Sequence, residues 1–157
     1  MKIHEIFIMS KGGVTVFYRN FSSGTLDKDI FSGLMTALRT MAVHITGKEL
    51  KELVISDHRY SIFSFDKFIL VIHSGEDCCP TEIASLASEI GLVFESKYGK
   101  SLKKTHNLGL FDSFSQDLNI ILSIESPKTE FKSSEVLTNF FGLTKGKINI
   151  KRVLENL

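Results

Sequence analysis

Phe68-Ile69-Leu70-Val71-Ile72 is an unbroken apolar run lying between two amphipathic helical patterns, and it is the last of three closely spaced strand-like runs. Five residues fall far short of the roughly 20 needed to cross a bilayer as a helix. Apolar residues at every position, rather than at every second one, describe a strand buried on both faces. Such a strand needs a covering layer on each side. The chain is therefore expected to form a sheet covered by helices, with this run inside it.

The flanking patterns supply the neighbours. Ile3, Phe7 and Met9 alternate with His4, Ile6 and Ile8, and Val14-Thr15-Val16-Phe17-Tyr18 follows after Lys11-Gly12-Gly13. Both runs carry apolar residues on both faces, and glycine accepts the positive φ angles of a tight turn, so the spacing predicts a hairpin. Beyond a loop at Ser22-Ser23-Gly24-Thr25, Asp27 or Asp29 is placed to cap a helix through its carboxylate. Ile30, Phe31, Leu34, Met35, Leu38, Met41, Ala42 and Ile45 fall on one broad arc of that helix, opposite Ser32, Thr36 and Arg39, and Gly47 is its expected stop. The arc is expected to pack on the sheet, and core packing alone is the favoured reading of it over an edge left for a partner.

Runs at 50–55, 60–65 and 68–73 follow, separated by connections too short for a crossover helix, which predicts an antiparallel meander. Lys48, Glu49, Lys51 and Glu52 guard the first of these runs as charges guard a sheet edge. A second helix, capped at Thr81 and carrying Ile83, Leu86, Ala87, Ile90 and Phe94, should end near Tyr98-Gly99. A third carries Phe111, Phe114, Leu118, Ile121 and Leu122, with Asp112 as its cap and Pro127 as its stop. Residues 1–125 are expected to form one domain, and 126–157 a C-terminal extension with a short helix at 134–141.

Composition narrows the functional classes. The chain has 157 residues, of which 43% are apolar and 24% charged, proportions of a soluble globular protein with a single core. A formal net charge of +1 provides no field to hold a polyanion, so nucleic acid is not an expected partner. Cys78 and Cys79 are adjacent and cannot staple a fold, which suits a reducing cytoplasm, and the first residues after Met1 do not read as a secretory signal.

Candidate chemistry is sparse. Ser56, Asp57 and His58 are consecutive and cannot line up as nucleophile, orienter and base, so a turn accounts for them. Lys11-Gly12-Gly13 lacks the Lys-Ser/Thr ending of a phosphate cradle. His4, His44, His58, His73 and His106 show no metal-ligand spacing. His73 with Asp77, Cys78 and Cys79 is the one place where a metal or thiol site is geometrically open, and a loop leading into a helix explains it more simply. Neither enzyme activity, nor a cofactor, nor a metal is expected.

The order of hairpin, helix, three-stranded meander, helix and helix over residues 1 to 125 resembles the longin domain, the profilin-like fold of regulatory SNAREs, small adaptin subunits, TRAPP-type tethering subunits and the signal recognition particle receptor. Ile6-Phe7-Ile8, Gly12-Gly13, Val14-Thr15-Val16 and Tyr60-Ser61-Ile62 leading into Phe68-Ile69-Leu70-Val71-Ile72 carry the likeness. The chain departs from SNAREs in having no sustained heptads after residue 125, from the receptor in having no GTPase domain, and from Roadblock domains in beginning with a strand.

What the resemblance implies is an α+β fold, a five-stranded antiparallel sheet with helices on both faces. It also implies a non-enzymatic protein-protein interaction module of vesicle trafficking, a cytoplasmic subunit or adaptor that binds a small GTPase or another trafficking component. Such a module would form a homo- or heterodimer through its first helix or its sheet edge. The partner-facing residues are then Met35, Arg39 and Met41 on the first helix and Leu50, Glu52 and Val54 on the edge. Phe140 and Phe141, followed by Lys145, Lys147, Lys151 and Arg152, are read first as a last helix folded back on the domain and second as a docking segment with at most peripheral membrane contact. A profilin-like or PAS-like sensor enclosing a small ligand is the alternative.

Overall fold

The computed structural model describes residues 2–24, 26–103 and 108–124. Pro127, the segment 134–141, Phe140 and Phe141 lie outside the described residues. In chain order the elements are β1 (Ile3–Ser10), β2 (Thr15–Asn20), α1 (Lys28–Thr46), β3 (Glu52–Ile55), β4 (His58–Ser64), β5 (Phe68–Gly75), α2 (Pro80–Tyr98), two 3-10 turns (Ser101–Lys103 and Leu108–Phe111) and α3 (Phe114–Ile124). The sheet runs β2-β1-β5-β4-β3 with every pair antiparallel. This is the longin-like α+β order that the resemblance implies.

The apolar run sits in the middle. Phe68 through Ile72 have no exposed surface, because β5 is central and both of its faces are covered. Phe68, Leu70 and Ile72, with Ile6 and Ile8 of β1, pack against Ile83, Leu86, Ile90 and Phe94 of α2 and Phe114 and Leu118 of α3. Ile69 and Val71, with Phe7 and Met9, pack under Phe31 and Met35 of α1. The period-2 alternation of side chains divides one apolar strand between two cores.

Turns and caps fix the layers. Gly13, at φ +88°, turns the first hairpin, and a Cβ there would collide with Thr36 of α1; only glycine allows both the angle and the contact. Of the two candidate caps for α1, Asp27 acts, its carboxylate accepting from the N–H groups of Asp29 and Ile30 at 2.9 and 3.1 Å. Gly47, left-handed at φ 69°, ends that helix as expected.

Several expectations are corrected. α2 is capped at Cys79 rather than Thr81, because Pro80, with its fixed φ and missing N–H, suits the first helical position. Asp112 accepts from Ser115 N–H through its backbone carbonyl, at 3.1 Å, where a carboxylate cap was expected. β3 begins at Glu52 rather than residue 50, and the β3–β4 turn is only Ser56-Asp57, with Ser56 at φ 55°. His58 and Arg59, read as part of that turn, belong to β4.

The largest correction concerns α1, whose buried residues are Phe31, Ser32 and Met35. The helix is rolled so that part of its polar side faces inward. Burying hydroxyls is tolerable when they are bonded, and Ser32 Oγ donates to Asp29 O at 3.1 Å and Thr36 Oγ1 to Ser32 O at 2.8 Å. Thr36 meets the Gly13 turn, and Arg39 reaches Ser64 of β4. The other half of the apolar arc is left facing outward.

Candidate functional site

That outward half forms a continuous row. Ile30, Leu34, Met41 and Ile45 are separated by helical steps of four, seven and four residues, which place them on one side of α1. They are 72%, 50%, 52% and 73% exposed. The row spans roughly 22 Å at the ordinary helical rise. Scattered exposed apolar residues are common on any surface, but four in one line over the length of a helix make a patch of the kind that partners cover.

On the other flank of α1 from the row, Arg39, Thr40, Val43 and His44, with Glu49, line a cavity of about 240 Å³. Arg39 dominates its chemistry. Its Nη2 donates to Ser64 Oγ at 3.4 Å and lies 4.0 Å from Glu49 Oε1, both long contacts, while its Nε is buried with no hydrogen-bond partner among the described residues. A guanidinium carries five donors in a rigid fork that matches a carboxylate. The cavity is accordingly suited to an acidic side chain presented from outside.

β3 is an edge of the sheet, as its guarding charges suggest, and Val54 and Ile55 are about half exposed on its two faces. Glu52 is occupied by Arg59 across the hairpin at 3.3 Å. Leu50 is partly buried against the α1 core. Of the residues expected to meet a partner, Arg39, Met41, Glu52 and Val54 are thus accessible to differing degrees. Met35 is not: it has no exposed surface and serves to seat α1 on the sheet.

A second constellation went unrecognised in the sequence. Glu5 of β1, Tyr18 of β2, His58 and Tyr60 of β4 and His73 of β5 gather on the α1 side of the sheet, at the end where the β3–β4 turn lies. Glu5 Oε2 accepts from His73 Nδ1 at 2.8 Å, and Glu5 Oε1 accepts from the Tyr18 hydroxyl at 2.8 Å. His73 Nε2 lies 2.8 Å from His58 Nδ1, and Asp57 Oδ1 is 3.6 Å from His58 Nε2. Tyr60 stacks on His73 with centroids 4.3 Å apart, and Phe31 of α1 covers Tyr60 at 5.2 Å.

Burial governs the electrostatics of this group. Glu5 and His73 are almost wholly buried, whereas the His58 side chain is 47% exposed. Desolvation holds the His73 imidazole below its ordinary value, against the pull of Glu5 and with the help of His4 and His58. Burial, and then the Glu5 carboxylate, push the Tyr18 hydroxyl up to about 12. His73 faces this network and not the cysteines. Cys78 is buried, its Sγ bonded to the Lys2 backbone, and Cys79 is exposed with its thiol lowered by hydrogen bonds from Thr81 and Glu82.

No family model matches the sequence, and no curated protein matches it. Similar solved structures include the mammalian SRP receptor, at 17% identity and a TM-score of 0.48 over 78% of this chain and 94% of that one. A Roadblock/LC7 domain from Streptomyces avermitilis is similar at 10% identity and a TM-score of 0.42, over 52% of this chain and 72% of that one.

Proposed function

We propose that this chain is a non-enzymatic longin-type interaction module, a subunit or adaptor of a cytoplasmic trafficking complex, whose partner is a small GTPase or another component of that machinery. The observation that carries the reading is the outward row Ile30, Leu34, Met41 and Ile45, which the fold leaves uncovered after filling the core with the other side of the same helix. The partner lies along this row. Contacts along β3 extend the interface through exposed backbone groups at the sheet edge.

With a net charge of only +1, the chain offers little long-range steering, so apolar contact supplies most of the affinity and binding depends weakly on salt. Among the described residues no helix is long and apolar enough to cross a membrane. The test is titration of the full chain against small GTPases loaded with a GTP analogue or with GDP. An effector-type module binds one nucleotide state more tightly and loses that binding in Ile45→Asp. Equal affinity for the two states argues against an effector role, and binding to neither removes the partner class.

A further inference from the structure

The two histidines that touch at the top of the sheet cannot both be fully protonated where they stand. His73 Nδ1 faces the Glu5 carboxylate at 2.8 Å, so this nitrogen carries a hydrogen. Its Nε2 faces His58 Nδ1, also at 2.8 Å, and a contact that short requires one nitrogen to donate and the other to accept. With both rings neutral, His58 supplies the hydrogen. With one added proton the pair shares it, and the Glu5 and Asp57 carboxylates sit at its two ends. A second proton puts two N–H groups head to head, so the rings have to part.

We propose that Glu5, His73 and His58 form a proton-operated latch, closed at neutral pH and opened by acid, that holds the β3–β4 hairpin against the centre of the sheet. Its position supports this role. Glu5 and His73 lie in β1 and β5, two inner strands, whereas His58 opens β4 directly after the Ser56-Asp57 turn. β3 has only four residues and one neighbouring strand, so β4 is its sole attachment within the sheet. Protons have a route in, because His58 is half exposed while the ring behind it is buried.

The groups acting on His73 oppose one another, and burial decides between them. From β1 it faces Glu5 and also His4, whose ring lies 4.9 Å away. From β4 it faces His58 and Tyr60, from β2 the Glu5-bound Tyr18, and Asp57 lies behind His58. Only Glu5 favours a charged His73, and burial outweighs it. Because the folded imidazole titrates below its ordinary value of 6.5, the unfolded or opened chain binds more protons in that window. The latch is thus fully closed above about pH 6.5 and weakens as pH falls toward the folded value.

Native-state amide exchange of the full chain tests this without any partner. Corrected for intrinsic rates, protection of the Leu53 and Ile55 amides, which face β4, should fall several-fold between pH 7.5 and 5.5, with a ceiling of about tenfold for one extra proton taken up by the opened chain. Protection in α2, at Ile90 and Phe94, should hold. His58→Gln can still donate to His73 but takes up no proton, and should reduce the change at β3 to less than about twofold. Unchanged β3 protection in the native chain overturns the latch, as does an equal loss in His58→Gln. Any effect of acid on docking rests on the function proposed above; a failure of GTPase binding leaves this exchange result standing, and a failure of the exchange result leaves the docking surface standing.

Discussion

Removing the Glu5 carboxylate is the most searching perturbation of the polar network, and its cost follows from the contacts. In Glu5→Ala the buried His73 Nδ1–H loses its acceptor, and an orphaned buried donor costs about 1–3 kcal/mol. The Tyr18 hydroxyl loses a 2.8 Å hydrogen bond to a charged oxygen but is only partly buried, so water recovers some of it, leaving about 1 kcal/mol. Together these predict a loss of about 3 kcal/mol. Glu5→Gln keeps an oxygen for His73 and turns an amide N–H toward the Tyr18 oxygen, so it forfeits only the charge and costs about 1 kcal/mol.

The pair of variants is measured by urea unfolding at pH 7.5, and the gap of about 2 kcal/mol between them is the diagnostic quantity. Tyrosinate absorbance gives a second readout. Tyr18, raised to about 12 in the native chain, should move back toward 10 in Glu5→Ala, though burial, the larger cause, keeps it from returning fully. Tyr18→Phe assigns the signal. A Glu5→Ala chain within about 0.5 kcal/mol of the native one, or a Gln variant as damaged as the Ala variant, refutes the hydrogen-bonding argument.

Other consequences are simpler. A Cβ at Gly91 would collide with the Phe65 ring, so Gly91→Ala should lower stability by about 1–3 kcal/mol in thermal or urea unfolding, and Phe65→Ala in the same chain should relieve the clash. Asp27→Ala removes both side-chain hydrogen bonds at the start of α1 and should cost about 1 kcal/mol, with Asp27→Ser restoring most of it.

Much of the fold is legible in the sequence because it rests on local signals. Gly12-Gly13 marks the hairpin, Gly47 the end of α1, and the short spacers between the last three strands leave only a meander. The roll of α1 was not legible, because its apolar arc is broad enough to satisfy several orientations. What decides among them is tertiary: the close approach of Thr36 to Gly13 and the reach of Arg39 to Ser64. Met35 and Met41 sit at opposite edges of the arc, and the roll buries one fully and leaves the other half exposed.

The histidine network was half legible. Once the turn at Asp66-Lys67 is placed, counting back along the hairpin sets Tyr60 opposite His73 and His58 opposite Gly75. The arrival of Glu5 depends on β1 pairing with β5, some 70 residues away, which local pattern does not reveal. His4, distant in sequence, joins His58 and His73 only through that pairing.

The central claim is that the outward row of α1 is the docking surface. It is tested most directly by capture from native cell extract on three immobilised chains: the native protein, Ile45→Asp, and Leu92→Asp on α2, whose side chain is 63% exposed in the native chain. Both changes fall on exposed positions, so unfolding curves should match that of the native chain to within about 0.5 kcal/mol. The account predicts that a partner held by the native chain is lost with Ile45→Asp and retained with Leu92→Asp. Retention with Ile45→Asp and loss with Leu92→Asp would contradict it and move the interface to the opposite face.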